Sequence, residues 1–117
     1  MKNHARLLLD YQTQQVLLEN VELANTAWTR FRGWMFRTQF QPKSGILIQP
    51  CRSIHTMWMR VTIDVYFLSN ENVVLGCRHN IKPWRIVMAP RGTVSVLETL
   101  PGEMQIENET KLKLESA

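Results

Sequence analysis

The chain has 117 residues, 44% of them hydrophobic and 21% charged, with a formal charge of +4 and a pI near 9.4. That length suits one domain spanning 1–117 and is too short for two. The run Leu7 to Leu9 is too brief for a membrane span or a signal-peptide core, so the expected setting is soluble and cytoplasmic.

The positive balance points to an anionic partner, whether nucleic acid, a phosphorylated metabolite, an acidic polymer or a membrane surface, or else simply to a solvated surface rich in Lys and Arg. Cys51 and Cys77 are the only cysteines, and in a reducing compartment both are expected to stay free thiols.

Taken in order, Leu7 to Ala24 holds no Gly or Pro, and alternation around Glu22 predicts two strands joined near Tyr11 to Gln14. Asn25 or Thr26 then caps a short helix that ends at Gly33. Trp28, Phe31, Trp34 and Met35 read as core, because helical spacing is what packing predicts. Arg30, Arg32 and Arg37 suit the carbonyl end of that helix. Thr38 to Ser44 reads as a loop and pocket rim, followed by a buried strand in GILIQ, Gly45 to Gln49.

The stretch from Cys51 to Leu68 combines strand-forming residues with Arg52, His55, Trp58, Arg60 and Asp64. Alternation puts Met57, Met59, Ile63, Val65 and Phe67 on a core face, and Arg52, Thr56, Trp58, Arg60, Asp64 and Tyr66 on a polar one. A bend is expected near Arg60 to Thr62, since one unbroken strand would be too long. His55 falls with the methionines, either as a core histidine satisfied by a backbone carbonyl or as a functional group. Asn70 to Asn72 predicts a turn between antiparallel strands Ile63–Leu68 and Val73–Leu75, with Gly76 marking a bulge. Pro83 places Lys82 to Arg85 at an edge or loop, and Val94 to Leu97 and Leu112 to Leu114 read as further strands.

Six segments occur in order: RGWMFR (Arg32 to Arg37), GILI (Gly45 to Ile48), CRSIHTMWM (Cys51 to Met59), Ile63-Asp64, KPWR (Lys82 to Arg85) and SVLE (Ser95 to Glu98). Together they resemble the domain-of-unknown-function 192 family. The resemblance implies a mainly β fold, a small antiparallel sandwich or barrel-like domain with one short helix, and no assigned activity. Many relatives are exported behind a secretion signal. Val61-Thr62 stands where a Phe-Pro pair is usual in that family, and the end after Gly102 is short.

Arg37, Arg52, His55, Trp58, Asp64, Lys82 and Arg85 form the candidate ligand-binding set. Arg offers a planar fork for carboxylate or phosphate, Lys a mobile charge, and Trp a flat wall against a ring or sugar. The expected ligand is a small anionic or polyhydroxylated molecule. Asp64 could equally be held in an ion pair with Arg52 or Arg60. The competing class is an interaction protein using the same face on a macromolecule, with Trp58, Trp84 and Tyr66 among arginines suited to stacking bases, although no nucleic-acid motif is present.

His55 could act as a base, but no nucleophile stands out beside it, since Cys51 lies about 13 Å along an extended strand. Cys51 with His55 and Cys77 with His79 supply zinc-type ligands at spacings unlike known zinc modules, so no metal or cofactor is expected.

Overall fold

The computed structural model describes residues 6–116. Its elements run β1 (Arg6–Asp10), β2 (Val16–Ala24), α1 (Ala27–Arg32), β3 (Ser44–Ile48), β4 (Ser53–His55), β5 (Ile63–Leu68), β6 (Val74–Ile81), β7 (Ile86–Met88), β8 (Ser95–Thr99) and β9 (Leu112–Ser116). The mainly β fold with one short helix is therefore present. Seven strands form one sheet in the order β6-β5-β8-β3-β2-β1-β9, and β4 pairs with β7 as a separate ribbon. The sheet is not a closed barrel; its two ends meet at one isolated bridge, Val73 to Lys111.

All pairings are antiparallel except β2 with β3. A parallel neighbour needs a crossover, and α1 with the loop after it supplies one. Thr26 caps α1 by accepting from Thr29 N at 3.1 Å, while Thr29 Oγ1 accepts from Thr26 N at 3.0 Å, so two donors at the helix start are satisfied. Gly33 ends it with a positive φ of 47°.

Both faces of the large sheet are covered. One carries Ile46, Ile48, Ile63, Val65, Phe67 and Val96 under Trp34, Ile54, Met59 and Val87. The other gathers Leu8, Leu18, Leu47, Tyr66, Leu68, Val74, Leu97 and Leu112 with Met104. This corrects the expected polar face of the central stretch: every residue of β5 is buried, Asp64 and Tyr66 included, and so is Thr56. Their polar atoms are satisfied inside, as Tyr66 shows by donating to Met104 O at 2.6 Å.

The helix departs from its expected role as well. No α1 residue is buried, and Trp28 and Phe31 are exposed, leaving Trp34, beyond the helix, as the core aromatic. Trp34 Nε1 donates to Glu22 Oε2 at 3.1 Å, which lets the whole indole enter the core.

Candidate functional site

Two excursions from the main sheet meet to build the ribbon. Residues 49–62 leave β3 and return at β5, and residues 82–94 leave β6 and return at β8. Thr56 locks them together. Its Oγ1 donates to Lys82 O at 2.7 Å and accepts from Arg85 N at 2.8 Å, while its backbone N–H donates to Arg85 O and its carbonyl accepts from Trp84 N. A third segment joins where Phe36 N donates to Trp58 O at 2.9 Å.

RGWMFR, CRSIHTMWM and KPWR thus each deliver one aromatic ring to the same spot. The Phe36 and Trp58 centroids are 5.9 Å apart and those of Trp58 and Trp84 4.8 Å. All three rings stay exposed, at 57%, 53% and 54%. Their backbones are left-handed, with φ of 65°, 63° and 68°. That conformation costs an ordinary side chain about 1–2 kcal/mol through crowding at Cβ. The other described non-glycine residues with positive φ (Gln14, Lys43, Asn72, Asn80 and Glu109) are polar. Strain and exposure therefore coincide on three aromatic residues that could have been buried, and such coincidences cluster at binding sites.

Phe36 also walls a groove of about 750 Å³ lined by Glu22, Arg37, Phe40 and the loop 38–41. Arg37 is held there by both oxygens of Glu22, one at 2.9 Å, and lies against the rings of Trp34 and Phe40. Burial raises the Glu22 carboxyl, but hydrogen bonds from Arg37 and Trp34 and the Arg37 charge outweigh it and leave the group below its ordinary value. Ser44 Oγ, buried in the same groove, has no hydrogen-bond partner.

Arg37, Trp58, Lys82 and Arg85 are thus carried by segments that meet at the ledge. His55 is one residue from the Thr56 lock, yet both its nitrogens are engaged: Nδ1 accepts from Met57 N at 3.2 Å, so Nε2 carries the proton and donates to Phe31 O at 3.1 Å. Arg52 lines a different groove, with Met88 to Val94. Asp64 is on the opposite face of the sheet, beside Tyr66 and away from Ile63 and Val65. Its partners are Asn80 N at 2.8 Å, Gly102 N at 3.0 Å and His79 Nδ1 at 3.2 Å, rather than Arg52 or Arg60.

Beneath α1 lies Glu98, which is outside the set of residues expected from the sequence to form the site. It sits on the interior strand β8, 3% exposed, with Oε1 unpartnered and 3.8 Å from where a Cβ on Gly33 would lie. A cavity of about 40 Å³ beside it is lined by Arg30, Gly33, Cys51, Ser53 and His55. Burial pushes the Glu98 carboxyl up to about 8, so it is protonated at neutral pH. Its signal in the sequence was one charged residue within the apolar strand SVLET.

Cys51 donates to Ser53 O, and burial raises its thiol above the ordinary value, which does not suit a nucleophile. Cys51 packs with one core and Cys77 with the other, so the two Cys/His pairs do not share a site. Among the described residues no group of three or more His, Cys, Asp and Glu side chains is placed to hold a metal ion.

The family model DUF192, described as Uncharacterized ACR, matches residues 9–114. The chain belongs to the DUF192 family. A UPF0127 protein of Thermococcus sibiricus is 28% identical over 107 residues, 87% of this chain and 68% of the relative. A Sinorhizobium meliloti 1021 protein, described provisionally as a transcription regulator, superposes with a TM-score of 0.81 at 20% identity, covering 97% of this DUF192 chain and 96% of that one. A protein of unknown function from Novosphingobium aromaticivorans DSM 12444 superposes with a TM-score of 0.77 at 21% identity, over 92% and 82%. At such identities the likeness is one of fold. No helix of the described residues is long and apolar enough to cross a membrane.

Proposed function

We propose that this DUF192 protein is a binding domain that takes a small anionic or polyhydroxylated ligand on the Phe36, Trp58 and Trp84 ledge. One observation carries the reading: three large rings are kept out of the core on left-handed backbone and braced against each other. Each ring left in water forgoes roughly 2 kcal/mol of burial, which is recovered only when something flat covers it. The ledge supplies the apolar wall for a ring or sugar face. Lys82 and Arg85, exposed on either side of Trp84 in sequence, and Arg60, exposed near Trp58, supply cations for phosphate or carboxylate groups. Arg37, whose Nη1 and Nη2 already bond Glu22, adds only its remaining N–H donors at the groove that begins at Phe36.

A thermal-shift series with sugar phosphates, neutral sugars and organic acids tests this directly. A ligand at a hundred times its Kd stabilises by about 2.7 kcal/mol, a rise of several degrees in Tm. The rise should vanish in Trp58→Ala and Trp84→Ala. A shift that persists in both variants would move the site elsewhere.

The openness of the ledge supports a second reading, in which the same rings stack successive bases of a single-stranded nucleic acid while cations hold its phosphates. The Sinorhizobium neighbour described as a transcription regulator is in keeping with it. Retention on single-stranded DNA that falls steeply with salt would favour the polymer over the small ligand.

A further inference from the structure

On the far side of the sheet from the ledge, the structure brings together three groups that the proposed binding role does not use. Cys77 and His79 are two apart on β6, an end strand of the sheet, and so point the same way. The Cys77 Sγ and His79 Nε2 are 3.4 Å apart. The opposite nitrogen, Nδ1, is 3.2 Å from Asp64 Oδ2. Asp64 is fixed from behind, its Oδ1 accepting from Asn80 N at 2.8 Å and its Oδ2 from Gly102 N at 3.0 Å.

We propose that Cys77 is a nucleophilic thiol, with His79 as its general base and Asp64 as the group that positions His79, and that it accepts acyl groups from activated esters or thioesters. An acceptor carboxylate at Nδ1 holds the proton there, which turns the lone pair of Nε2 toward the thiol. A nucleophile, a base within reach and a third group orienting the base are the parts that such chemistry needs.

Access suits the reaction. His79 is half exposed, and Cys77 is partly exposed. Asp64 and His79 line a mostly polar groove of about 580 Å³ together with Asn80, Gln105, Ile106 and Glu107, which gives an acyl donor room beside the base. Tyr66, edge-on to the imidazole with centroids 6.0 Å apart, limits how the ring tips. In the step, Sγ bonds to the carbonyl carbon as the bond to the leaving alkoxide or thiolate breaks. The thiol proton passes to Nε2 and then to the leaving group, yielding a free alcohol or thiol and a thioester on Cys77.

The second cysteine is an internal control, since Cys51 is tied to Ser53 O and has no such base arranged. The full chain should be treated with p-nitrophenyl acetate and the acetylated peptide located by mass spectrometry. Cys77 should acetylate at least about tenfold faster than Cys51. His79→Ala should slow Cys77 by about a hundredfold at unchanged circular dichroism, with free imidazole restoring part of the rate. Asp64→Asn should also slow it. Asp64 is buried and that variant could fail to fold, so His79→Ala, altering a half-exposed side chain, decides by itself. Equal rates at the two cysteines, or a Cys77 rate indifferent to His79→Ala, would overturn the proposal.

Discussion

Replacing Glu98 by Gln should abolish a specific dependence of stability on pH. Glu98 is raised from its ordinary 4.5 to about 8 by burial, with no cation paired to it. Below pH about 4.5 the carboxyl is protonated in both folded and unfolded chains and adds no pH dependence. Between 4.5 and about 8 the unfolded chain releases its proton while the folded chain keeps it, so unfolding is favoured increasingly as pH rises. Above about 8 both states are ionised and the loss is complete. Each pH unit in that window is worth about 1.4 kcal/mol, so the whole interval amounts to about 5 kcal/mol, comparable with the total stability of a small domain.

Glu22 works in the other direction but is common to both proteins, so the difference between wild type and Glu98→Gln removes it. Urea unfolding of the two proteins at several pH values from 4 to 9 is the assay. The variant should gain on wild type by about 5 kcal/mol across the window, and the gap should be level outside it. A difference that stays constant from pH 4.5 to 8 would falsify a neutral Glu98.

Other outcomes follow from the same geometry. Trp84→Asn should leave stability unchanged or raise it by up to about 1 kcal/mol in urea unfolding, because Asn tolerates the left-handed backbone, while ligand-induced thermal shifts disappear. Thr56→Val removes the hydroxyl that joins Lys82 O to Arg85 N, and should cost roughly 2–4 kcal/mol and loosen the ledge, seen as faster amide exchange at Trp84 and Arg85. Thr26→Ala should cost about 1 kcal/mol by breaking the reciprocal cap with Thr29. Glu22→Gln should weaken the hold on Arg37, with a cost in urea unfolding that is full and level above the carboxyl's ordinary value of 4.5 and shrinks as pH falls below it, since the lowered Glu22 group stabilises the fold while ionised and loses that effect once protonated.

The strands and their turns were legible where local chemistry decides them. Asn70 to Asn72 marks the β5–β6 connection, Thr26 and Gly33 bracket α1, and GILI forms β3. Alternation misled in β5 because it presumes that one face meets water. Here the segment 100–111 and the far strands cover the second face, so Asp64 and Tyr66 are interior and are satisfied by Gly102 N and Met104 O, partners about forty residues distant. Helical spacing misled at Trp28 and Phe31, since a six-residue helix can carry apolar residues without burying any.

The candidate residues were chosen by side-chain chemistry, and chemistry does not reveal which sheet face a residue occupies. The segments that carry Trp58, Lys82 and Arg85 meet because Thr56 ties them together. Asp64 goes to the other side by its parity along β5. Phe36 and Trp84 could be recognised as partners of Trp58 only through contacts between distant segments.

On the proposed reading a ligand binds at the exposed ledge. The indole N–H resonances of the four tryptophans provide a separate reporter at Trp28, Trp34, Trp58 and Trp84. Titration with the sugar phosphate or oligonucleotide that raises Tm should shift the Trp58 and Trp84 signals and leave buried Trp34 in place. A ligand that saturates the protein while the Trp58 and Trp84 resonances do not move would contradict the account.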